Sequence, residues 1–184
     1  MNRKRWGAGF LAVLAASSPV AFGAQLKTES PQAQYNRAVS LMLQRPPAYA
    51  EAAPLLRQAA EQGLPRAQRA WGEILRDGRG APRNEAAAAQ WFRKAADRND
   101  ARAQADLGAM YSAGRGVKKN PKAAAKWIKK AAAAADSVGQ LELAILYANG
   151  LGVEPNAREA EKWYILAAEQ GEALAQFAQI GRAH

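Results

Sequence analysis

Tryptophan stands at Trp91, Trp127 and Trp163, at a constant spacing of 36 residues. The surrounding residues recur in step. Gly72, Gly108 and Ala144 align, as do Gly78, Gly114 and Gly150, then Gly80, Gly116 and Gly152, then the pairs Ala95-Ala96, Ala131-Ala132 and Ala167-Ala168. An alanine-rich composition does not by itself align columns of mixed chemistry. A fixed period of about 20 to 50 residues marks a solenoid, in which each unit buries its apolar face against its neighbours. Three full units can be written, 67–102, 103–138 and 139–174. Upstream, 33–66 is a degenerate first copy with Leu55 in place of the tryptophan, two residues short because Arg45-Pro46-Pro47 replaces the glycine loop. Downstream, Ala175-Gln176 opens 175–184, expected to be a partial capping helix, since terminal repeats are atypical.

Residues 1–23 have the pattern of a secretory leader. Arg3, Lys4 and Arg5 form a basic start, 6–16 an apolar run, and Ala21-Phe22-Gly23 a small-residue cleavage region. An uncleaved anchor is the alternative, because no charge lies between Trp6 and Leu26, although Ser17, Ser18 and Pro19 interrupt the run. A short linker, 24–32, would follow. The expected location is the periplasm or outside the cell. The chain has no cysteine, so a lipid-modified cysteine and disulfide staples are both excluded, and stability must come from packing between repeats. The formal charge of +10 falls to +7 without the leader's three basic residues, a balance that favours anionic partners.

One unit shows how the pattern folds. Ala103, Leu107, Met110, Tyr111 and Gly114 fall at helical spacing, so 103–113 reads as an amphipathic first helix, with Gly114 ending it. Asn120-Pro121 supplies a cap and a first-turn proline for a second helix. That helix would bury Ala124, Trp127, Ile128, Ala131 and Ala132. Gly108 and Gly72 lie inside first helices, where glycine costs about 1 kcal/mol relative to alanine. Their retention suggests close helix approach, with the tryptophan expected to fill the space beside each.

These residues resemble a known family. Ala103-Gln104, Leu107-Gly108, Tyr111, Gly114-Arg115-Gly116-Val117, Ala124, Trp127 and Lys130-Ala131-Ala132 are similar to the consensus of the SEL-one-like repeat, a relative of the tetratricopeptide repeat. The next copy matches through Gly150-Leu151-Gly152-Val153, Trp163-Tyr164 and Ala167-Ala168-Glu169-Gln170-Gly171. A tetratricopeptide period of about 34 residues disagrees with the spacing here. The resemblance implies an all-α fold, a right-handed α/α superhelix of antiparallel helix pairs, and a role as an adaptor that holds other proteins. The paired cysteines of the family's disulfide-rich secreted branch are missing, so nothing particular to that branch transfers.

Catalytic chemistry finds little footing. The Gly-x-Gly triples lack the third glycine, the preceding strand and the lysine-serine or lysine-threonine ending of nucleotide loops, and read as turns that need positive φ. The single histidine is His184, and neither Ser-x-x-Lys nor Gly-x-Ser-x-Gly occurs. Glu159 and Glu161, two apart on a helix, point to different faces. No set of imidazole or thiolate ligands exists for a metal, and no cofactor is expected.

Two surfaces remain as binding candidates. By resemblance, first helices line the concave side, where successive copies present Tyr35, Val39 and Met42; Arg69, Glu73 and Arg76; Ala105, Ala109 and Ser112; Leu141, Ile145 and Ala148; and finally Phe177. This reads as a peptide groove with apolar ends, in which Arg69 and Arg76 contact a carboxylate; alternatively, the end copies simply bury their apolar groups. Lys118, Lys119, Lys122, Lys126, Lys129 and Lys130 crowd one loop and second helix. They form either a solvated face or a surface for an anionic envelope component; nucleic acid is not expected, because no aromatic interleaves there. The expected function is an exported, non-catalytic module that binds a protein or peptide. The alternatives are an envelope-associated structural protein acting through the lysines, and a hydrolase of cell-wall material, for which no residue argues.

Overall fold

The computed structural model describes residues 29–172, which form eight helices and no strand. They are α1 (Pro31–Met42), α2 (Tyr49–Glu61), α3 (Pro65–Asp77), α4 (Glu85–Ala96), α5 (Ala101–Ala113), α6 (Pro121–Ala133), α7 (Ser137–Asn149) and α8 (Ala157–Glu169). Each odd-numbered helix packs on the even-numbered helix after it, and each even-numbered helix on the first helix of the next pair. The first helices also touch one another, α1 with α3 and α5 with α7, which sets them toward the inside of the stack. No described helix is long and apolar enough to cross a membrane. The leader 1–23, Phe177, His184 and the expected capping helix 175–184 lie outside the described residues.

Side-chain caps fix most helix starts. Asn84, Asn120 and Asn156 each accept, through the side-chain oxygen, the backbone N–H three residues on, opening α4, α6 and α8. Asp100 and Asp136 do the same for α5 and α7, and Ser30 for α1. The first helices therefore begin two residues ahead of the apolar pattern, α5 at Ala101 rather than Ala103, because the first two helical positions carry no buried residue to mark them. Likewise Pro31 and Gln32, expected in the linker, open α1. Gly78, Gly114 and Gly150 end α3, α5 and α7 at φ of 72°, 73° and 67°, a left-handed stop that glycine adopts without strain.

The glycine inside each first helix has a different partner from the expected one. A Cβ on Gly72 would lie 2.9 Å from the Phe92 ring, and one on Gly108 would lie 2.5 Å from Ile128. The space is thus filled by the residue after the tryptophan. One position along a helix is a turn of about 100°, which aims Phe92 and Ile128 at their own first helix. Both are fully buried, whereas Trp127 is 7% exposed and Trp91 and Trp163 are half-buried. Ala124, Ile128, Ala131 and Ala132 are buried beside Trp127, as the stripe predicts.

Polar groups close the seams between repeats. Gln68 donates to the carbonyl of Ala60 at 3.2 Å, and Gln104 to that of Ala96 at 3.1 Å, each reaching the last turn of the preceding helix. Gln34, Gln68, Gln104 and Gln140 are all buried. Those carbonyls also accept the backbone N–H groups of Gly63 and Asn99, so Gln68 and Gln104 add a second donor across the seam, whereas Gln34 bonds to Gln58 and Gln62 and Gln140 to Gln170.

Candidate interaction surface

The inner face is built from the exposed flanks of α1, α3, α5 and α7. Tyr35, Val39, Met42, Ala109, Ser112 and Ile145 are half-buried there, Ala148 is exposed, and Leu43 is 76% exposed at the end of α1. Ala105 and Leu141 do not belong to this face. They are 2% and 7% exposed, and Leu141 packs with Ala167 against Ile145, Tyr164 and Ala168. The true inner positions fall one residue later, at Asp106 and Glu142, with Ala109 and Ile145 one turn on. Sequence reasoning passed over both acids. The signal available was a single acid in each of these two first helices, Asp106 and Glu142, at equivalent positions three residues before Ala109 and Ile145.

The arginines expected to meet a partner's carboxylate already have acids. Arg69 pairs with Glu73 at 2.6 Å and Asp100 at 3.3 Å. Arg76 pairs with Asp77 at 2.8 Å and, across the seam, with Asp106 at 3.0 Å. Hydrogen bonds from Arg76 and then Arg79 hold the Asp77 carboxyl below its ordinary value. Asp106 moves the other way, to about 6, since lost hydration outweighs the pull of Arg76 and Glu73 repels it. Its Oδ2 is buried without a hydrogen bond. The centre of the face is therefore a closed charge network and not a free cationic clamp. Met42, Leu43, Tyr49, Ala70, Ile74, Glu73 and the arginines Arg76 and Arg79 surround a hollow at its α1 end.

All six lysines of the basic cluster are exposed, and none pairs with a carboxylate among the described residues. Aromatic rings lie closer to them than the sequence suggested. The Lys129 ammonium sits 5.5 Å from the centre of the Tyr147 ring, and that of Lys130 sits 4.6 Å from Trp127. Arg93, one repeat before Lys129, lies over Tyr111 and also donates to its hydroxyl. Arg93 and Lys129 thus join a second helix to the next first helix, whereas Lys130 and Trp127 share α6. Among the described residues no group of acids or histidine is arranged to hold a metal ion.

The model of the Sel1 repeat matches four consecutive segments, 31–64, 65–100, 101–136 and 137–172. The chain belongs to the Sel1-repeat family. Each matched segment is one helix pair of the structure. The protective antigen c5321 of uropathogenic Escherichia coli, which displays this fold, is 36% identical, with a TM-score of 0.74 over 84% of this chain and 33% of that one. A Sel1 repeat protein from Oxalobacter formigenes is 33% identical, with a TM-score of 0.74 over 85% and 62%. The chain thus spans about a third and about three fifths of these two relatives. Cysteine rich protein B of Helicobacter pylori shares the fold at 22% identity and a TM-score of 0.50, over 82% of this chain and 98% of that one. No curated protein matches the chain significantly. Sel1-repeat proteins serve in general as protein-interaction modules.

Proposed function

We propose that this Sel1-repeat chain is an exported, non-catalytic adaptor that holds a protein or peptide partner on its inner face. The observation that carries the reading is the composition of that face. Half-buried Val39, Met42 and Ile145 and exposed Leu43 stand on the flanks of first helices, with a floor of small residues, Ala109 and Ser112, between the last two of those helices. Apolar side chains left at the surface, here on either side of the charge network of Arg69, Glu73, Arg76 and Asp106, are a common mark of an interaction site. Export rests on the leader pattern of residues 1–23.

Photo-crosslinking residues placed in living cells at Val39, Ala109 and Ile145, with Lys126 as an outer-face control, test the proposal. Discrete adducts at the three inner positions and none at Lys126 are expected. Adducts confined to Lys126 would end it.

The unpaired lysines of α6 and its preceding loop favour a second reading, attachment to an anionic envelope polymer. Binding of that kind fades as salt rises, since the screening length falls to about 3 Å at 1 M. Apolar capture on the inner face persists under the same conditions.

A further inference from the structure

Glu142 is a half-buried acid on α7 with neither an ion pair nor a hydrogen bond to any other described residue. The other half-buried carboxylates of the described residues are all engaged. Glu29, Glu73, Glu85, Asp106 and Glu159 face arginine or lysine, Asp100 and Asp136 cap helices, and Glu172 accepts from Ser137. In a chain of formal charge +10 the absence of a cation from this one site is conspicuous. Loss of hydration alone acts on Glu142 and raises its pKa, and among the described residues no cation offsets it.

Ile145 is half-buried one turn along the same flank of α7, and among the described residues the neighbouring first helix sets Ala109 and Ser112 on its inner flank, with Asp106 already paired to Arg76. Arg76 and Arg102, the cations on the inner face nearest in sequence register, are drawn toward Asp106. A carboxylate that is partly desolvated and locally uncompensated attracts a cation brought from outside, most strongly when an apolar neighbour excludes water from the pair.

We infer that the inner face of the last two repeats recognises a protein segment bearing a lysine or arginine, whose cationic head meets Glu142 while an adjoining aliphatic side chain covers Ile145. The inference rests on the inner-face reading above and adds the chemistry of the occupant. It reverses the charge preference that Arg69 and Arg76 suggested from sequence, because those arginines are neutralised at home and Glu142 is not.

A library of random dodecapeptides displayed on phage and selected against the purified full chain tests both levels separately. Peptides that lose binding to Ile145→Glu define the inner face, with circular dichroism melts confirming that the variant folds. Those peptides are expected to be enriched in lysine or arginine and to bind Glu142→Gln roughly tenfold more weakly. Replacing the basic residue by methionine should cost about the same, with no further loss when both changes are combined. A structural role for Glu142 would instead appear as a lower melting temperature of Glu142→Gln with peptide affinity intact, and would overturn the inference. So would peptides sensitive to Ile145→Glu that bind Glu142→Gln unchanged, and this outcome leaves the inner-face reading standing. A selection that yields no peptide sensitive to Ile145→Glu sinks that reading, and the inference with it.

Discussion

Burial on the inner face lifts the Asp106 carboxyl to about 6, because lost hydration exceeds the attraction of Arg76 and Glu73 adds repulsion. Arg76 is shifted toward its charged form at the same time, first through its hydrogen bond to Asp77. The pair is therefore unequal: the arginine has a second acid, and the aspartate, with a side chain 13% exposed, has the greater loss of water. A native pKa above the unfolded value means that the folded state binds more protons between about pH 4 and 6. The Asp106 contribution to stability thus declines as pH rises through 6, and the ionised group is a burden at neutral pH. Asp106→Asn should melt higher than the parent at pH 7.5, by an amount on the order of 2 kcal/mol, and the gap should close toward pH 4. Thermal melts across that range decide it. An asparagine variant that melts lower at pH 7.5 would mean that the bond to Arg76 outweighs the cost of burial.

At the scale of the helix and its loop, what the sequence displayed was periodic and local. Asn120-Pro121, Gly114 and the stripe from Ala124 to Ala132 each have one physical reading, and each stands in the structure as a cap, a stop and a buried face. The choice between neighbouring positions was less legible. Whether Ala105 or Asp106 faces inward depends on how much of the helix flank the next first helix covers, a property of the stack that no single repeat contains. The same holds for Phe92 and Ile128 beside the helical glycines. The loop glycines show the distinction within one motif. Gly114 and Gly116 both have positive φ, but a Cβ on Gly116 would overlap the backbone carbonyl of Glu85 in the preceding repeat, whereas one on Gly114 would meet Lys119 of its own loop, no nearer than 3.1 Å at the Cβ. Gly80 and Gly152 lie in the same way against Tyr49 and Pro121. Gly114→Ala should cost about 1 to 2 kcal/mol, the strain of a left-handed backbone. Gly116→Ala adds a clash with backbone that cannot move aside without shifting α4, and should lower stability by several kcal/mol. Urea denaturation of the two variants measures the difference, and equal losses would show that the seam is not closed at Gly116.

Across the whole molecule, the adjacent residues Trp127 and Ile128 divide the core between them. Trp127 joins the large cluster that runs from Ala38 through Phe92 to Met110, whereas Ile128 packs with Ala124, Ala125, Ala132, Leu143 and Leu146. The α6 helix is therefore the joint at which the packing of the early repeats gives way to that of the last one. In a stack held by nearest-neighbour seams, stability is a sum of unit and interface terms, and damage at one seam is felt first beside it. Truncating either side chain to alanine removes buried volume worth about 2 to 5 kcal/mol. The consequences should differ in place. Trp127→Ala should raise amide hydrogen exchange chiefly in α4 and α5, and Ile128→Ala in α5 and onward into α7 while sparing α4, because Ile128 stands between Gly108 and the α7 leucines. If both variants instead lose protection uniformly from α1 to α8, the stack behaves as one cooperative block and the joint at α6 has no energetic meaning. Localised loss would have a bearing on binding as well. Glu142 and Ile145 stand on the far side of that joint from Val39 and Met42, so Ile128→Ala should impair capture at Ile145 and spare capture at Val39.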